Sequence, residues 1–237
     1  MKNLVIIPTY NEIENIENII KKVFSLAEPF DILIVDDGSP DGTATAVKNL
    51  QKTFPESLFI EERKGKLGLG TAYIHGFKWS LAREYAYIFE MDADFSHNPE
   101  DLIKLLYACK NDGFDAAVGS RYISGVNVVN WPIGRVLMSY GAGIYVRQIL
   151  GMPIMDPTGG FMCYTRKVLQ TLDLDGIKFI GYAFQIEMKF KIFLAKFKIK
   201  EVAIIFTDRT AGVSKMSTKI FREAIFGVIT MKIRSWF

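Results

Sequence analysis

Asp92 and Asp94 stand two residues apart at the end of an apolar run, in the stretch Phe89-Glu90-Met91-Asp92-Ala93-Asp94-Phe95-Ser96-His97-Asn98-Pro99. Alternate side chains of an extended segment point the same way, so both carboxylates face one spot beyond a strand end. Like charges held that close repel unless a proton or a cation intervenes. A hard divalent ion takes oxygen ligands, and Mg²⁺ commonly uses one or two carboxylates plus substrate phosphates. The competing reading is that Asp94 or Ser96 caps a helix beginning near Pro99, a residue well suited to a first turn. Capping accounts for one acid and leaves the other unexplained.

A second acidic pair lies in Val35-Asp36-Asp37-Gly38-Ser39-Pro40-Asp41-Gly42. Asp, Gly, Ser and Pro all favour turns, and acids at a strand end also suit hydrogen bonds from a base or ribose; the residues leave both readings open. Arg209 and Lys215, six apart across a Gly-containing stretch, suit phosphate oxygens, the first as a planar fork and the second as a point charge. A solvated basic loop is the equal alternative on composition alone. His97 invites a role as general base, but its place just after the acidic motif points instead to a loop or helix-capping role. The chain has no GxxxxGK[ST]. Its first strand runs into Pro8-Thr9-Tyr10-Asn11-Glu12 rather than a GxGxxG turn, so the P-loop and dinucleotide readings lack their phosphate cradle; the glycine-rich 65–70 follows the third strand, and a dinucleotide loop there is the weaker reading.

These residues need a scaffold, and the pattern supplies one. Short aliphatic runs at 4–7, 31–35, 58–61 and 87–91 alternate with amphipathic segments at 11–27, 43–54 and 70–84 and a helix from near Pro99. That alternation predicts βαβ units and an α/β fold with a mainly parallel sheet. Ligands of open α/β sheets bind outside the carboxyl ends of the strands, where three polar loops converge. A further strand is expected at 115–119. Later come a Gly-spaced aromatic segment at 131–151, a strand at 161–164, a helix at 183–195 and a strand at 201–206. Tyr140, Tyr145 and the other aromatics of 131–151 read most simply as core, and a membrane-lying segment is the second reading. The division expected is an α/β domain over 1–217 and a basic amphipathic helix over 218–237, which either lies in a membrane interface or packs on the sheet.

With 237 residues, 49% of them hydrophobic, the chain fits one large globular domain. A net charge of +3 is too small to argue for nucleic acid. Cys109 and Cys163 show no metal-ligand or redox spacing, so neither a zinc site nor a disulfide framework is expected, and a cytoplasmic setting follows. The amino terminus lacks a signal-peptide core, and no window approaches roughly 18 uninterrupted apolar residues.

Seven stretches in order carry a resemblance over nearly the whole chain: Pro8-Thr9-Tyr10-Asn11-Glu12, Val35-Asp36-Asp37-Gly38-Ser39, Met91-Asp92-Ala93-Asp94-Phe95-Ser96-His97, Gly119-Ser120-Arg121-Tyr122, Asp156-Pro157-Thr158-Gly159-Gly160-Phe161, Gly181-Tyr182-Ala183-Phe184-Gln185-Ile186-Glu187-Met188 and Asp208-Arg209-Thr210-Ala211-Gly212-Val213-Ser214-Lys215. Together they resemble the dolichol-phosphate mannose synthases, family 2 glycosyltransferases of the GT-A fold, whose core is a Rossmann-like sheet flanked by helices.

The resemblance implies inverting transfer of mannose from GDP-mannose to a dolichyl, undecaprenyl or other polyprenyl phosphate, with Mg²⁺ or Mn²⁺. It places Pro8, Tyr10, Glu12, Val35 and Asp37 on the guanosine, and Asp92, Ala93 and Asp94 on the metal and diphosphate. Ser96 falls where some relatives carry Gln as a further metal contact. Arg121, Arg209 and Lys215 would meet the phosphates of donor and acceptor, and Asp156 and Gln185 would orient acceptor or sugar or serve as buried polar structure. It also implies a peripheral protein at the cytoplasmic, inner face of a membrane, with room for a membrane-protein partner. The alternatives are a transferase using UDP-glucose or another nucleotide sugar, and a non-catalytic nucleotide- or lipid-binding scaffold. Absence of a QxxRW segment weakens the processive synthases as relatives.

Overall fold

The computed structural model describes residues 2–208 and 218–236, apart from the side chains of Tyr182 and 218–225. Arg209 and Lys215 therefore lie outside the described residues. The first half of the chain runs β1 (Lys2–Thr9), α1 (Ile16–Phe24), β2 (Asp31–Asp36), α2 (Thr43–Gln51), β3 (Leu58–Glu62), α3 (Leu69–Leu81), β4 (Tyr85–Glu90), α4 (Asp101–Lys110) and β5 (Ala116–Ser120). The second half adds β6 (Val128–Val129), α5 (Ile133–Leu150), β7 (Met162–Thr165), α6 (Arg166–Thr171), α7 (Tyr182–Leu194), β8 (Ile199–Ala203), β9 (Phe206–Thr207) and α8 (Thr218–Arg234).

Seven strands form one sheet in the order β3-β2-β1-β4-β7-β5-β8, and β6 pairs with β9 separately. All neighbours in the large sheet are parallel except β7, which runs antiparallel between β4 and β5. Helices cover both faces, which is why the central strands are aliphatic almost throughout. Strand alternation divides the core in two. Leu4, Ile6, Leu33, Val35 and Ile88 pack on the side of α3, α7 and α8, while Val5, Ile7, Ile32, Ile34 and Phe89 pack under α1, α2 and α4. Gly76 lets α3 lie directly on β1, since a Cβ there would come within 2.7 Å of the Ile6 side chain.

Several boundaries differ from expectation. α1 begins at Ile16 rather than at 11, because Asn11 takes a left-handed conformation (φ 58°) that turns the chain away from β1. The strand expected at 201–206 is two, β8 and β9. The 131–151 segment forms α5, whose buried residues are only Gly143, Val146 and Leu150. The core assignment of its aromatics fails for Tyr140, which is exposed, while Tyr145 packs at the core edge. Ile133 (73% exposed) and Leu137 (65%) also face outward. α8 packs against α5 and α7, burying Val228 and Met231 in the core on that side of the sheet. Phe226, Ile229, Ile233 and Trp236 remain exposed along it. Among the described residues no helix is long and apolar enough to cross a membrane. Cys109 and Cys163 are free and buried, and they are neighbours: burial first, then Cys109, pushes the Cys163 thiol well up.

Candidate active site

β1, β2 and β4 end side by side. Pro8 pairs in register with Val35 and Thr9 with Asp36, while Ile6 pairs with Glu90 and its carbonyl accepts from Met91 N at 3.2 Å. The three polar loops predicted to converge thus leave one edge together.

After β4 the chain makes a tight turn. Asp94 Oδ1 accepts from Ser96 N (3.1 Å) and Ser96 Oγ (2.6 Å), and Phe95 between them is left-handed (φ 59°). This turn removes Asp94 and Ser96 from helix capping. The approach to α4 is made instead by Asn98, whose side chain accepts from Glu100 N at 3.1 Å. Asp92 is partly exposed and Asp94 is buried. Among the described residues no three His, Cys, Asp or Glu side chains gather at one point. Two carboxylates and a hydroxyl in three alternate positions are nonetheless hard oxygen donors, and they fit a divalent ion whose remaining ligands come from a diphosphate. A cleft of ≈ 530 Å³ opens here, lined by Lys22, Asp94, Phe95, Asn98, Thr207 and Asp208 among others.

His97 is buried with its ring stacked on Phe161 (4.8 Å between centroids) and edge-on to Phe206. Burial pushes its pKa down to about 4, with the Arg121 charge adding and Asp94 and Asp156 opposing. A neutral imidazole whose Nδ1 accepts from Asp92 N at 3.4 Å supports the turn; it caps no helix.

The acidic turn after β2 is a closed network. Asp36 accepts from Thr9 Oγ1 (2.8 Å), Ser39 N (2.9 Å) and Ser39 Oγ (2.6 Å). Asp37 accepts from Arg63 Nε (2.7 Å) and from Leu67 N (3.0 Å), tying down the glycine-rich loop after β3. Lys66 of that loop sits 4.9 Å above the Tyr10 ring. Sequence reasoning missed Arg63, although a buried Asp at a strand end implies a cation or several N–H groups nearby.

Arg121, at the end of β5, is clamped by Asp156. Nε reaches Oδ2 and Nη2 reaches Oδ1, each at 2.7 Å, and the Arg121 backbone N also donates to Oδ2 at 3.0 Å. Thr158 Oγ1 accepts from the same guanidinium at 2.9 Å. Rings of Tyr122, Trp131 and Phe206 surround it at 5.4–5.5 Å. Arg135, which sequence reasoning passed over, lies 4.0 Å over the Trp131 ring and pairs with Asp208 at 2.8 Å. Thr207 N donates to Ser96 O (3.3 Å), so β9 joins the Arg121 side to the Asp94 turn.

Beneath both sides lies a buried polar group. Glu90 accepts from Tyr164 Oη (2.9 Å) and Gln185 Nε2 (2.5 Å). Burial raises its pKa to about 7 against the lowering influence of Gln185, Lys189 and Tyr164. Gln185 thus points at Glu90 within the core.

A mainly parallel sheet covered on both faces, with an Asp-X-Asp turn at a central strand end, is the GT-A glycosyltransferase fold. The chain belongs to glycosyl transferase family 2, whose pattern it matches over residues 4–173. It is 46% identical over 233 residues to the polyprenol monophosphomannose synthase of Mycolicibacterium smegmatis, covering 98% of this chain and 88% of that one. It is 42% identical over 228 residues to the undecaprenyl-phosphate mannosyltransferase of Micrococcus luteus, covering 96% and 93%. Among solved structures, a mannosyltransferase of Pyrobaculum calidifontis in complex with GDP-Man and Mn²⁺ superposes with a TM-score of 0.64 at 17% identity, covering 99% of this chain and 64% of that one. Glucosyl-3-phosphoglycerate synthase of Mycobacterium tuberculosis gives a TM-score of 0.68 at 18% identity, covering 98% and 79%.

Proposed function

We propose that this protein transfers mannose from GDP-mannose to a polyprenyl phosphate. The observation that carries the reading is similarity along nearly the whole chain, at 46% and 42% identity, to a polyprenol monophosphomannose synthase and an undecaprenyl-phosphate mannosyltransferase. A phosphate oxygen of the acceptor attacks the anomeric carbon, the bond from that carbon to the GDP β-phosphate breaks, and GDP leaves with the bonding electrons. The acceptor oxygen is already anionic near neutral pH, so no general base is required, in keeping with the neutral, buried His97. The principal task is to bring two anions together and neutralise them.

Asp92 and Asp94 are the residues that would hold Mg²⁺ or Mn²⁺, with Ser96 fixing Asp94 and adding a hydroxyl. A bound divalent ion would supply charge neutralisation for the departing diphosphate. Pro8, Tyr10, Glu12, Val35 and Asp37 surround the β1 and β2 ends, where the nucleoside would sit, with Asp37 acting through Arg63 and Leu67 to shape that wall. Arg121, preset by Asp156, faces the acceptor side with Arg135. Arg209 and Lys215 remain proposed phosphate contacts.

We further propose 1–217 as the catalytic unit, with α5 and α8 resting on a membrane at its cytoplasmic face. The support is the exposed apolar row on each of these two packed helices. Leu137→Glu should reduce co-sedimentation with anionic vesicles about fivefold or more, roughly the cost of removing one anchoring side chain. Unchanged vesicle binding would count against α5. The donor and acceptor are tested with a panel of nucleotide sugars offered with one short-chain polyprenyl phosphate and Mn²⁺ or Mg²⁺. GDP release from GDP-mannose with formation of a mannosyl lipid is expected, and turnover of UDP-glucose alone would refute the mannose assignment.

A further inference from the structure

Lys189 is fully buried in α7, an expensive place for an ammonium group, since replacing a buried charge with a well-packed apolar side chain is often neutral or stabilising. Its surroundings show what the charge engages. Nζ donates to Gly159 O at 2.5 Å and to Gln185 O, one turn back on its own helix, at 3.2 Å. Gln185 in turn donates to Glu90 at the end of β4. Gly159 belongs to the loop whose Asp156 clamps Arg121, and its Cα is packed so closely that a Cβ would come within 3.1 Å of Gly119 O and 3.3 Å of Asp156 Cγ. The start of the same loop is held from another side by Glu201, which accepts from Met155 N (2.7 Å) and Asp156 N (3.0 Å).

The 156–160 loop is therefore pinned at its beginning by Glu201, in its middle by Arg121 and near its end by Lys189. Of these three pins, Lys189 is the one carried by α7, whose Gln185 reaches Glu90 at the end of β4, the strand that leads into Asp92 and Asp94. We infer that Lys189 is a positioning residue: by fixing Gly159 relative to β4, it sets the placement of the Arg121–Asp156 clamp with respect to the carboxylate pair. The inference rests on the proposed transferase reading for its kinetic consequences but not for its structural ones. A neutral side chain of similar length would fill the same volume without holding the Gly159 carbonyl.

Lys189→Met tests this in two ways. In the mannosyl transfer assay kcat should fall about 100-fold, the scale expected when reacting groups shift by about 1 Å, while KM for the donor stays near the native value. In an Arg121→Lys background, where the clamp is already loosened, the further loss should be much smaller than in the native enzyme. Independent, multiplying effects would overturn the proposal. The second readout needs no activity: with Trp79 and Trp236 replaced by Phe, the single remaining Trp131 lies against Arg121 and Phe206. Lys189→Met should change its quenching by acrylamide; unchanged quenching would also overturn the proposal. If native protein transfers no mannose, the functional reading fails while the Trp131 result still decides the structural one. Should Lys189→Met fold poorly, Glu90→Gln/Lys189→Met removes both buried charges. That pair is expected to regain thermal stability without regaining the native Trp131 signal, and recovery of both would leave Lys189 a packing residue only.

Discussion

Asp94→Asn lowers mannosyl transfer by about 10²–10³-fold, the usual loss when a group stabilising charge in the transition state is removed. The substitution keeps the side-chain volume and one carbonyl oxygen, so the turn made by Ser96 N and Ser96 Oγ persists and thermal stability changes little. What disappears is the second anionic oxygen set beside Asp92. Asp94→Ala is a poorer test, because it strips two buried donors of their acceptor at once. Steady-state turnover across a Mn²⁺ titration makes the measurement. Turnover equal to that of the native protein at saturating metal would sink the metal role, whereas a weaker apparent metal affinity together with a depressed plateau supports it.

Arg121→Met is expected to destabilise the protein by about 3–5 kcal/mol, the penalty for leaving a buried charge without its partner, and to abolish transfer. Asp156 is the charge left behind. Burial by itself would raise its carboxyl, yet the Arg121 charge and hydrogen bonds bring the net pKa below the ordinary value. A carboxylate with a depressed folded pKa contributes stability that is present above the unfolded value of about 4 and is lost as pH falls through the folded one. Native protein should thus lose this contribution only in acid, and Arg121→Met should lack it already at neutral pH. The pair Arg121→Met/Asp156→Leu separates the two roles: urea unfolding should recover most of the lost stability while transfer stays absent. Transfer restored in that pair would show that Arg121 only holds the fold.

The architecture was legible because the periodicity of β1, β2 and β4 is unambiguous: their aliphatic runs are buried on both faces, and each ends in polar residues. The Asp92/Asp94 turn was legible for the same reason, since a strand end fixes where alternate carboxylates face. Resemblance across seven short stretches supplied the substrate class, which no spacing could give. The partners of the acidic residues were not legible. Asp37 finds Arg63, 26 residues on, and Arg121 finds Asp156, 35 residues on; such pairings depend on tertiary placement and leave no local pattern. α5 misled for another reason. Its glycines and aromatics carry no amphipathic period that distinguishes a buried from an exposed face, and Ile133, Leu137, Met138 and Tyr140 turn outward.

The reversed strand β7 has a consequence for how the protein comes into being. β4 and β5 never touch as ladder neighbours; both wait for residues 162–165 to enter between them. A chain emerging from the ribosome has completed β1 to β5 long before that happens, and until then two hydrophobic strands present bare backbone edges. The same insertion brings the 156–160 loop to the carboxylate turn, so the moment that closes the sheet is also the moment that assembles the site. Truncations ending before residue 162 would keep both acidic turns and still yield an aggregating fragment, never a weak enzyme.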